Sequence, residues 1–190
     1  MSRPAPAGSD DQRGPRRVIV TGGPGAGKTA LLAALAARGY ACVPDSARAI
    51  IQERVRRGSS ARPAPPEFAS AILQLDVEQY RRAPAGVAVL FFDRAIPDAL
   101  CMLHDAGVLS QAAAAERLAE FPYCREVFVA PPWPEIYTTD GERDQQFADA
   151  VRVHRRASDW YGALGFALIE LPRVRVEERC DFVLQRLRIR

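Results

Sequence analysis

Residues 22–29 constrain the fold of this chain more than any other segment, because they match the phosphate-binding pattern G-x-x-x-x-G-K-[ST] in full. Glycines in such a loop let successive backbone N–H groups approach phosphate oxygens with no Cβ in the way. The helix that follows adds the positive end of its dipole. Chance places the four fixed residues in roughly one chain in a hundred of this length. The predicted phosphate-binding residues are Gly22, Gly23, Pro24, Gly25, Ala26, Gly27, Lys28 and Thr29.

The last two residues of the loop carry the reactive groups. Lys28 is the one lysine among 26 basic residues, so this chain uses arginine everywhere else. A compact ammonium suits the β- and γ-phosphates of an ATP-type ligand, which a planar guanidinium fits badly. The Thr29 hydroxyl is the group expected to ligate Mg²⁺.

The rest of the chain alternates between strand and helix patterns, which predicts an α/β fold with a parallel sheet. The run 87–92 is wholly apolar and predicts a strand buried on both faces. The predicted strands are 17–21, 40–43, 87–92, 125–129 and 166–171. The predicted helices are 29–38, 46–58, 67–82, 97–105, 110–120, 142–164 and 176–187.

A length of 190 residues favours one domain, predicted over residues 17–190. Residues 1–16 have the composition of a disordered tail. The Pro-rich stretch around 131–146 predicts a lid, because long loops in compact domains often close over a ligand. The longest apolar run, 87–92, is too short to span a membrane, and no secretory signal is recognisable. We therefore expect a cytoplasmic protein.

Composition removes several classes of function. The net charge of +3 is modest and two of these charges lie in residues 1–17, so no nucleic-acid partner is expected. Four widely spaced cysteines and two histidines favour free thiols over a zinc site or disulfides. The chain has no asparagine, which rules out the usual Asn-Lys-x-Asp guanine-reading motif of GTPases and the catalytic-loop Asn of protein kinases.

Asp93 follows the apolar run 87–92 directly, at the edge of the sheet where the P-loop is expected. There it would hold the metal through water or accept a proton from a substrate hydroxyl, although capping of the next helix is an alternative. We assign Arg94 to phosphate binding and catalysis, with pairing to Asp98 as the alternative. Asp98 itself is interpreted as a charge at a helix N-terminus.

Asp45 ends the second predicted strand at the same edge, where it could receive an acceptor hydroxyl as base or anchor. Arg48, one turn later, could bind phosphate. Local capping by Asp45 and a solvated Arg48 are equally consistent with the pattern. Arg143 lies near a helix start, where the dipole disfavours a cation, so we predict that it serves a transferring phosphoryl group under the lid. Screening by neighbouring acids is its alternative.

Together these residues resemble a family of small bacterial P-loop proteins described as AAA-domain predicted ATPases. They are similar to the ribosylnicotinamide kinase domain of the NAD regulator protein and, more distantly, to deoxynucleoside and thymidylate kinases. The resemblance covers about residues 18–184 and depends most on the Asp-Arg step at residue 93 and on the Asp-x-x-Arg step ending at Arg143. The supporting segments are 22–29, 44–48, 92–98, 136–146, 161–165 and 170–172.

The resemblance implies a three-layer α/β/α sandwich around a five-stranded parallel sheet in a nucleoside-kinase-like order. It also implies ATP with Mg²⁺, held by Thr29 and Asp93, and an acceptor pocket near Asp45 and Asp93. Relatives often carry Glu where Asp45 stands and Gly where Ala95 stands, so the carboxylate reaches less far here and the acceptor site is narrower.

Two functions remain open from the sequence. The first is a kinase that transfers the γ-phosphate of ATP to a hydroxyl of a small, nucleoside-like metabolite. The second is an ATPase or nucleotide-dependent switch without a small-molecule acceptor. Neither reading involves a membrane or nucleic acid, and the oligomeric state is not predicted.

Overall fold

The computed structural model describes residues 14–60, 63–84, 86–137 and 147–189. Most of the predicted tail and the part of the predicted lid that carries Arg143 lie outside these ranges. The predicted roles of those two segments therefore stay predictions.

The core of the molecule is a five-stranded sheet in which every neighbouring pair of strands is parallel. Its strands are β1 (Arg16–Gly22), β2 (Ala41–Val43), β3 (Val89–Asp93), β4 (Glu126–Ala130) and β5 (Ala167–Glu170). They lie in the order β2-β3-β1-β4-β5, so the P-loop strand is central. This confirms the predicted parallel α/β fold.

Helices cover both faces of the sheet. They are α1 (Lys28–Ala37), α2 (Ser46–Arg56), α3 (Pro65–Arg81), α4 (Ile96–Asp105), α5 (Gln111–Leu118), α6 (Phe147–Ala163) and α7 (Val176–Leu187). Along β1, Ile19 packs into one apolar core with α3, α4 and α6, whereas Val18 and Val20 pack into a second core with α1 and α7. Because neighbouring side chains of a strand point to opposite faces, this alternation produces the predicted three-layer sandwich.

Several boundaries differ from the predicted ones, and local chemistry explains them. β1 begins at Arg16, one residue earlier than predicted, because its backbone N–H donates to the carbonyl of Ala88. α3 begins at Pro65 rather than residue 67, since proline is well suited to the first helical turn. β3 covers Val89–Asp93, so Asp93 belongs to the strand as its last residue. Within the described residues no helix is both long and apolar enough to cross a membrane.

Asp98, in the first turn of α4, joins three elements of the fold. Its carboxyl accepts hydrogen bonds from the Thr21 hydroxyl of β1 (2.7 Å), the Tyr161 hydroxyl of α6 (2.5 Å) and the backbone N–H of Ala95 (3.0 Å). The side chain is 9 % exposed. The sequence predicted the helix-terminal charge, but it did not predict the bonds to β1 and α6.

We predict that Tyr161→Phe destabilises the protein, because it removes a buried donor from the Asp98 carboxyl. The expected loss in free energy of unfolding is about 1–3 kcal/mol, measured by urea denaturation. Tyr123→Phe is the matched control, since the buried Tyr123 hydroxyl makes no hydrogen bond to a side chain among the described residues. Equal losses in the two variants would show that the bond to Asp98 contributes nothing specific.

Candidate functional site

The P-loop connects the end of β1 to the start of α1 at the centre of the sheet edge. Gly25 adopts a φ of 71°, and a Cβ on this residue would lie 2.4 Å from the ring of Tyr137. A Cβ on Gly23 would lie 2.5 Å from the carbonyl oxygen of Ala150 in α6. Only glycine permits this packing, so the segments on both sides of residues 138–146 rest directly on the P-loop.

Lys28 is buried at the first position of α1, with 7 % of the residue exposed. Its Nζ donates hydrogen bonds to the carbonyl oxygens of Gly22 (3.1 Å) and Gly23 (2.8 Å). Burial lowers the pKa of the Lys28 ammonium to about 8, and the nearby Arg94 guanidinium lowers it as well. The charge is held inside the loop, where a polyphosphate would stabilise it.

Asp93 lies beside Thr29, as predicted, because β3 runs parallel to β1 and pairs Asp93 with Val20. The Thr29 Oγ1 and the Asp93 Oδ2 are 3.5 Å apart. The Asp93 Oδ1 is buried and has no hydrogen-bond partner among the described residues. Burial raises the pKa of this carboxyl, although the Lys28 charge opposes the shift.

The Thr29 hydroxyl and the Asp93 carboxyl fit a magnesium ion, which prefers oxygen ligands and keeps several waters and phosphate oxygens. A buried carboxylate oxygen without a partner is the kind of group that a cation or its bound water would satisfy. Across the described ranges no cluster of three or more His, Cys, Asp or Glu side chains forms a metal site. The protein would therefore supply only part of the coordination.

Arg94 lies between two carboxyl groups. Its Nη1 is 3.4 Å from the Asp98 Oδ1, and its Nε is 3.7 Å from the Asp45 Oδ2. The backbone of Arg94 has a φ of 63°, which is strained for a residue with a side chain, and its N–H donates to the carbonyl of Val20. The alternative pairing with Asp98 is therefore present, and the predicted contact of Arg94 with phosphate stays a prediction.

Asp45 is the N-cap of α2, and its Oδ1 accepts a hydrogen bond from the Ala47 backbone N–H at 2.8 Å. The alternative capping role is thus present in the structure. Its Oδ2 faces Arg94, so the same carboxyl also takes part in the charged cluster at the sheet edge.

A cavity of about 780 Å³ opens on one side of the P-loop. It lies between the starts of α1 and α7, and we call it the α1/α7 cavity. Trp133, Arg173, Arg175 and Arg179 contribute to its lining, together with residues 25–30 of the P-loop and α1.

Arg179 fixes one wall of the α1/α7 cavity from α7, and it was not predicted from the sequence. The side chain donates to the carbonyls of Ala26 (3.0 Å) and Pro172 (2.8 Å), and its guanidinium carbon lies 4.9 Å from the centre of the Trp133 ring. Its Nη2 is buried without a partner among the described residues. Burial lowers the pKa of Arg179.

A second cavity, of about 680 Å³, lies on the other side of the P-loop, and we call it the α2/α3 cavity. The predicted site residues Asp45, Arg48, Asp93 and Arg94 all line it. Lys28 and Thr29 line both cavities. The predicted phosphate, metal and acceptor residues are therefore brought together, apart from Arg143, which lies outside the described residues.

Asp76 of α3 also lines the α2/α3 cavity, and the sequence analysis missed it. The signal was present in the spacing, because Asp76 lies four residues from Ile72 and from Tyr80 on the buried face of α3. Arg179 carries a similar signal, since it lies in the buried stripe of α7 with Cys180, Val183 and Leu187. A charged residue inside an apolar helical stripe is the pattern that indicates both positions.

A family model described as "AAA domain" matches residues 17–179. No curated protein matches the sequence significantly. The match to this family model supports the resemblance drawn from the P-loop, Asp-Arg and Asp-x-x-Arg segments.

Solved structures share the fold at low identity, and the two described next each cover more than nine tenths of this chain. Deoxyadenosine kinase from M. mycoides with bound dATP is 12 % identical, with a TM-score of 0.63 over 91 % of this chain and 99 % of that chain. The NadR protein in complex with NR is 17 % identical, with a TM-score of 0.64 over 93 % of this chain. The match covers 52 % of the NadR chain, so this protein spans about half of its length.

These similarities confirm the predicted P-loop fold and its resemblance to nucleoside kinases. The family model covers most of the sequence, including the P-loop, β3 and Arg179. The chain belongs to the AAA domain family of P-loop proteins.

Proposed function

We propose that this protein is a kinase that transfers the γ-phosphate of ATP to a hydroxyl of a small, nucleoside-like metabolite. One observation carries the proposal: two cavities of similar size meet at Lys28 and Thr29. A phosphotransferase needs separate places for donor and acceptor with the transferred group between them, whereas an ATPase needs only the first.

The α1/α7 cavity suits the nucleotide. The backbone N–H groups of the P-loop and the Lys28 ammonium would bind the phosphates, as in other P-loop proteins. The base would lie toward Trp133, Arg173 and Arg175, where an aromatic ring and cationic side chains line the wall. Arg179 would keep the loop in shape through its bond to Ala26.

Thr29 and Asp93 would hold Mg²⁺ with the nucleotide. When bound, the ion would neutralise phosphate charge. The reaction consumes ATP, so we propose that the protein works in the cytoplasm.

The α2/α3 cavity suits the acceptor, because carboxyl groups of Asp45 and Asp93 face it beside the P-loop. In the transfer step the acceptor oxygen forms a bond to the γ-phosphorus as the bond to the leaving ADP oxygen breaks. The hydroxyl proton passes to a carboxylate, for which Asp45 and Asp93 are both placed. Asp93 would bind Mg²⁺ at the same time, whereas the Asp45 carboxyl also caps α2.

The structural neighbours support a nucleoside-like acceptor, because one is a deoxyadenosine kinase and the other is a protein in complex with NR. The size of the α2/α3 cavity is compatible with such a compound, since small-molecule pockets typically measure about 300–1,000 Å³. An ATPase that acts as a switch is the competing function, and a single assay separates the two.

We predict that the protein, given ATP labelled at the γ-phosphate and a small-molecule cell extract, transfers the label to a new compound. Separation of products by chromatography distinguishes this compound from free phosphate. Lys28→Ala should lower the transfer by at least about 10²-fold, because the loop then lacks its cation. Phosphate release that is the same with and without extract would instead establish the ATPase.

The single lysine gives a second prediction about phosphate binding. With ¹³C-labelled lysine, one Cε signal should titrate near pH 8 in the free protein, because burial lowers the pKa of Lys28 to about 8. ATP with Mg²⁺ should raise this midpoint by about one unit or more, since phosphate charge favours the ammonium form. Adenosine, which has no phosphate, is the control ligand and should leave it unchanged. A titration midpoint of Lys28 that ATP with Mg²⁺ does not change would contradict its assignment to phosphate binding.

A third prediction concerns the predicted lid residue Arg143. If it stabilises the transferring phosphoryl group, Arg143→Ala lowers kcat by about 10²-fold and leaves the Kd for ATP nearly unchanged. Arg155→Ala, which removes an exposed arginine of α6, is the control. Steady-state kinetics and calorimetry measure the two effects, and an intact kcat would show that Arg143 has no catalytic role.

A further inference from the structure

The buried face of α3 carries a carboxyl group that the proposed transfer step does not use. Asp76 is 7 % exposed, and the neighbouring turns on this face present Ile72 and Tyr80, which are also buried. Among the described residues its one hydrogen bond comes from the Ser46 hydroxyl to Oδ1, at 2.5 Å. No described cation forms an ion pair with it.

Stability alone does not account for this carboxyl. Burial raises the pKa of Asp76 to about 7, so near neutral pH its charge is held in a poorly solvated position. An apolar pair in place of a buried polar pair is often neutral or stabilising when the shape is kept. The group therefore makes physical sense as part of a binding site rather than as part of the core.

The surroundings of Asp76 show which site this is. Asp76, Ile72 and Phe68 are spaced four residues apart on one face of α3, and all three line the α2/α3 cavity. Ser46, the hydrogen-bond partner of Asp76, directly follows Asp45 in the chain and lines the same cavity. If the hydroxyl of an acceptor lies at Asp45 or Asp93, the rest of that molecule would lie beside apolar side chains of α3 and the Asp76 carboxyl.

We propose that Asp76, with Ser46, is a specificity-determining site that accepts a hydrogen bond from a second donor of the acceptor, separate from the hydroxyl that is phosphorylated. The inference rests on the proposed kinase function. This second donor is an N–H or O–H group, which an amino group on a ring or a further hydroxyl of the acceptor could supply. An acceptor without this donor would leave the second oxygen of the Asp76 carboxylate without a hydrogen bond in the filled site, which a binding site penalises strongly.

The ionisation of Asp76 gives this site a dependence on pH. The charged and titratable groups around it are Asp45 at the start of α2, Arg94 and Asp98 at the end of β3 and the start of α4, and Tyr123 before β4. A carboxylate is only an acceptor, and Asp76 is ionised above about pH 7. Acceptor binding should therefore strengthen between pH 6 and pH 8.

The test compares Asp76→Leu with wild type on four probes: adenosine, purine riboside, 2′-deoxyadenosine and 3′-deoxyadenosine, with saturating ATP and Mg²⁺. Purine riboside lacks only the amino group of adenosine, and each deoxy compound lacks one hydroxyl. We expect Asp76→Leu to raise the KM for adenosine by at least about tenfold and to change kcat by less than about threefold. For one analogue, the wild-type KM should exceed the wild-type KM for adenosine by a similar factor, and Asp76→Leu should not raise it further. The group that this analogue lacks is then the donor that Asp76 recognises.

Two controls separate recognition from a structural effect. Glu78→Gln removes a partly exposed carboxyl from the same helix and should leave every KM unchanged. The KM for adenosine should fall in wild type between pH 6 and pH 8, and the ratio of the variant to wild-type KM should grow over that range. Thermal unfolding should show Asp76→Leu to be folded, since it replaces a buried charge with an apolar side chain.

A KM for adenosine that stays within twofold in Asp76→Leu would overturn the inference and leave the kinase function standing. If no probe is phosphorylated, the labelled product from the cell extract takes their place, and an equal yield from Asp76→Leu and wild type overturns the inference in the same way. Phosphate release without any labelled product would instead remove the kinase function itself, and the inference with it.

Discussion

The site depends on one constraint: the P-loop must turn from the end of a buried central strand into a helix while it keeps an ammonium inside. Lys28 achieves this through its bonds to the carbonyls of Gly22 and Gly23, and Arg179 holds the other side of the loop at Ala26. Because β1 is central, the ends of its neighbours fall beside the loop. The register of β3 with β1 then brings Asp93 to Thr29 without any special loop.

A second set of contacts stiffens the acceptor side. Asp98 binds β1 through Thr21 and α6 through Tyr161, and it also faces Arg94, which in turn faces Asp45. The strained backbone of Arg94 is consistent with a guanidinium held in place by its surroundings rather than by local preference. The contacts through which Asp98 joins β1 and α6 are therefore connected directly to the candidate catalytic groups Arg94 and Asp45.

The sequence predicted the features that depend on short, local patterns. Apolar runs located the strands, and a polar residue at the end of a strand could be placed at the sheet edge, which is why Asp45 and Asp93 were found. The strand order came only from the resemblance to nucleoside kinases. Asp76 and Arg179 each interrupt an apolar helical stripe, which is a local signal. The groups that the two side chains contact could not be predicted, because these depend on which helices face each other, a long-range property. The pairing of Arg94 with Asp98 was predicted only as an alternative, because the sequence does not reveal the positive φ of Arg94.

The close packing of Gly23 and Gly25 has a mechanical consequence. Tyr137 packs on Gly25, and the backbone of Ala150 packs on Gly23. Residues on both sides of 138–146 therefore contact adjacent points of the phosphate-binding turn. A shift of that turn by even a fraction of an ångström would push on both flanks at once. The position of the phosphate-binding turn and the position of α6 are thus geometrically coupled, through the contact of the Ala150 backbone with Gly23.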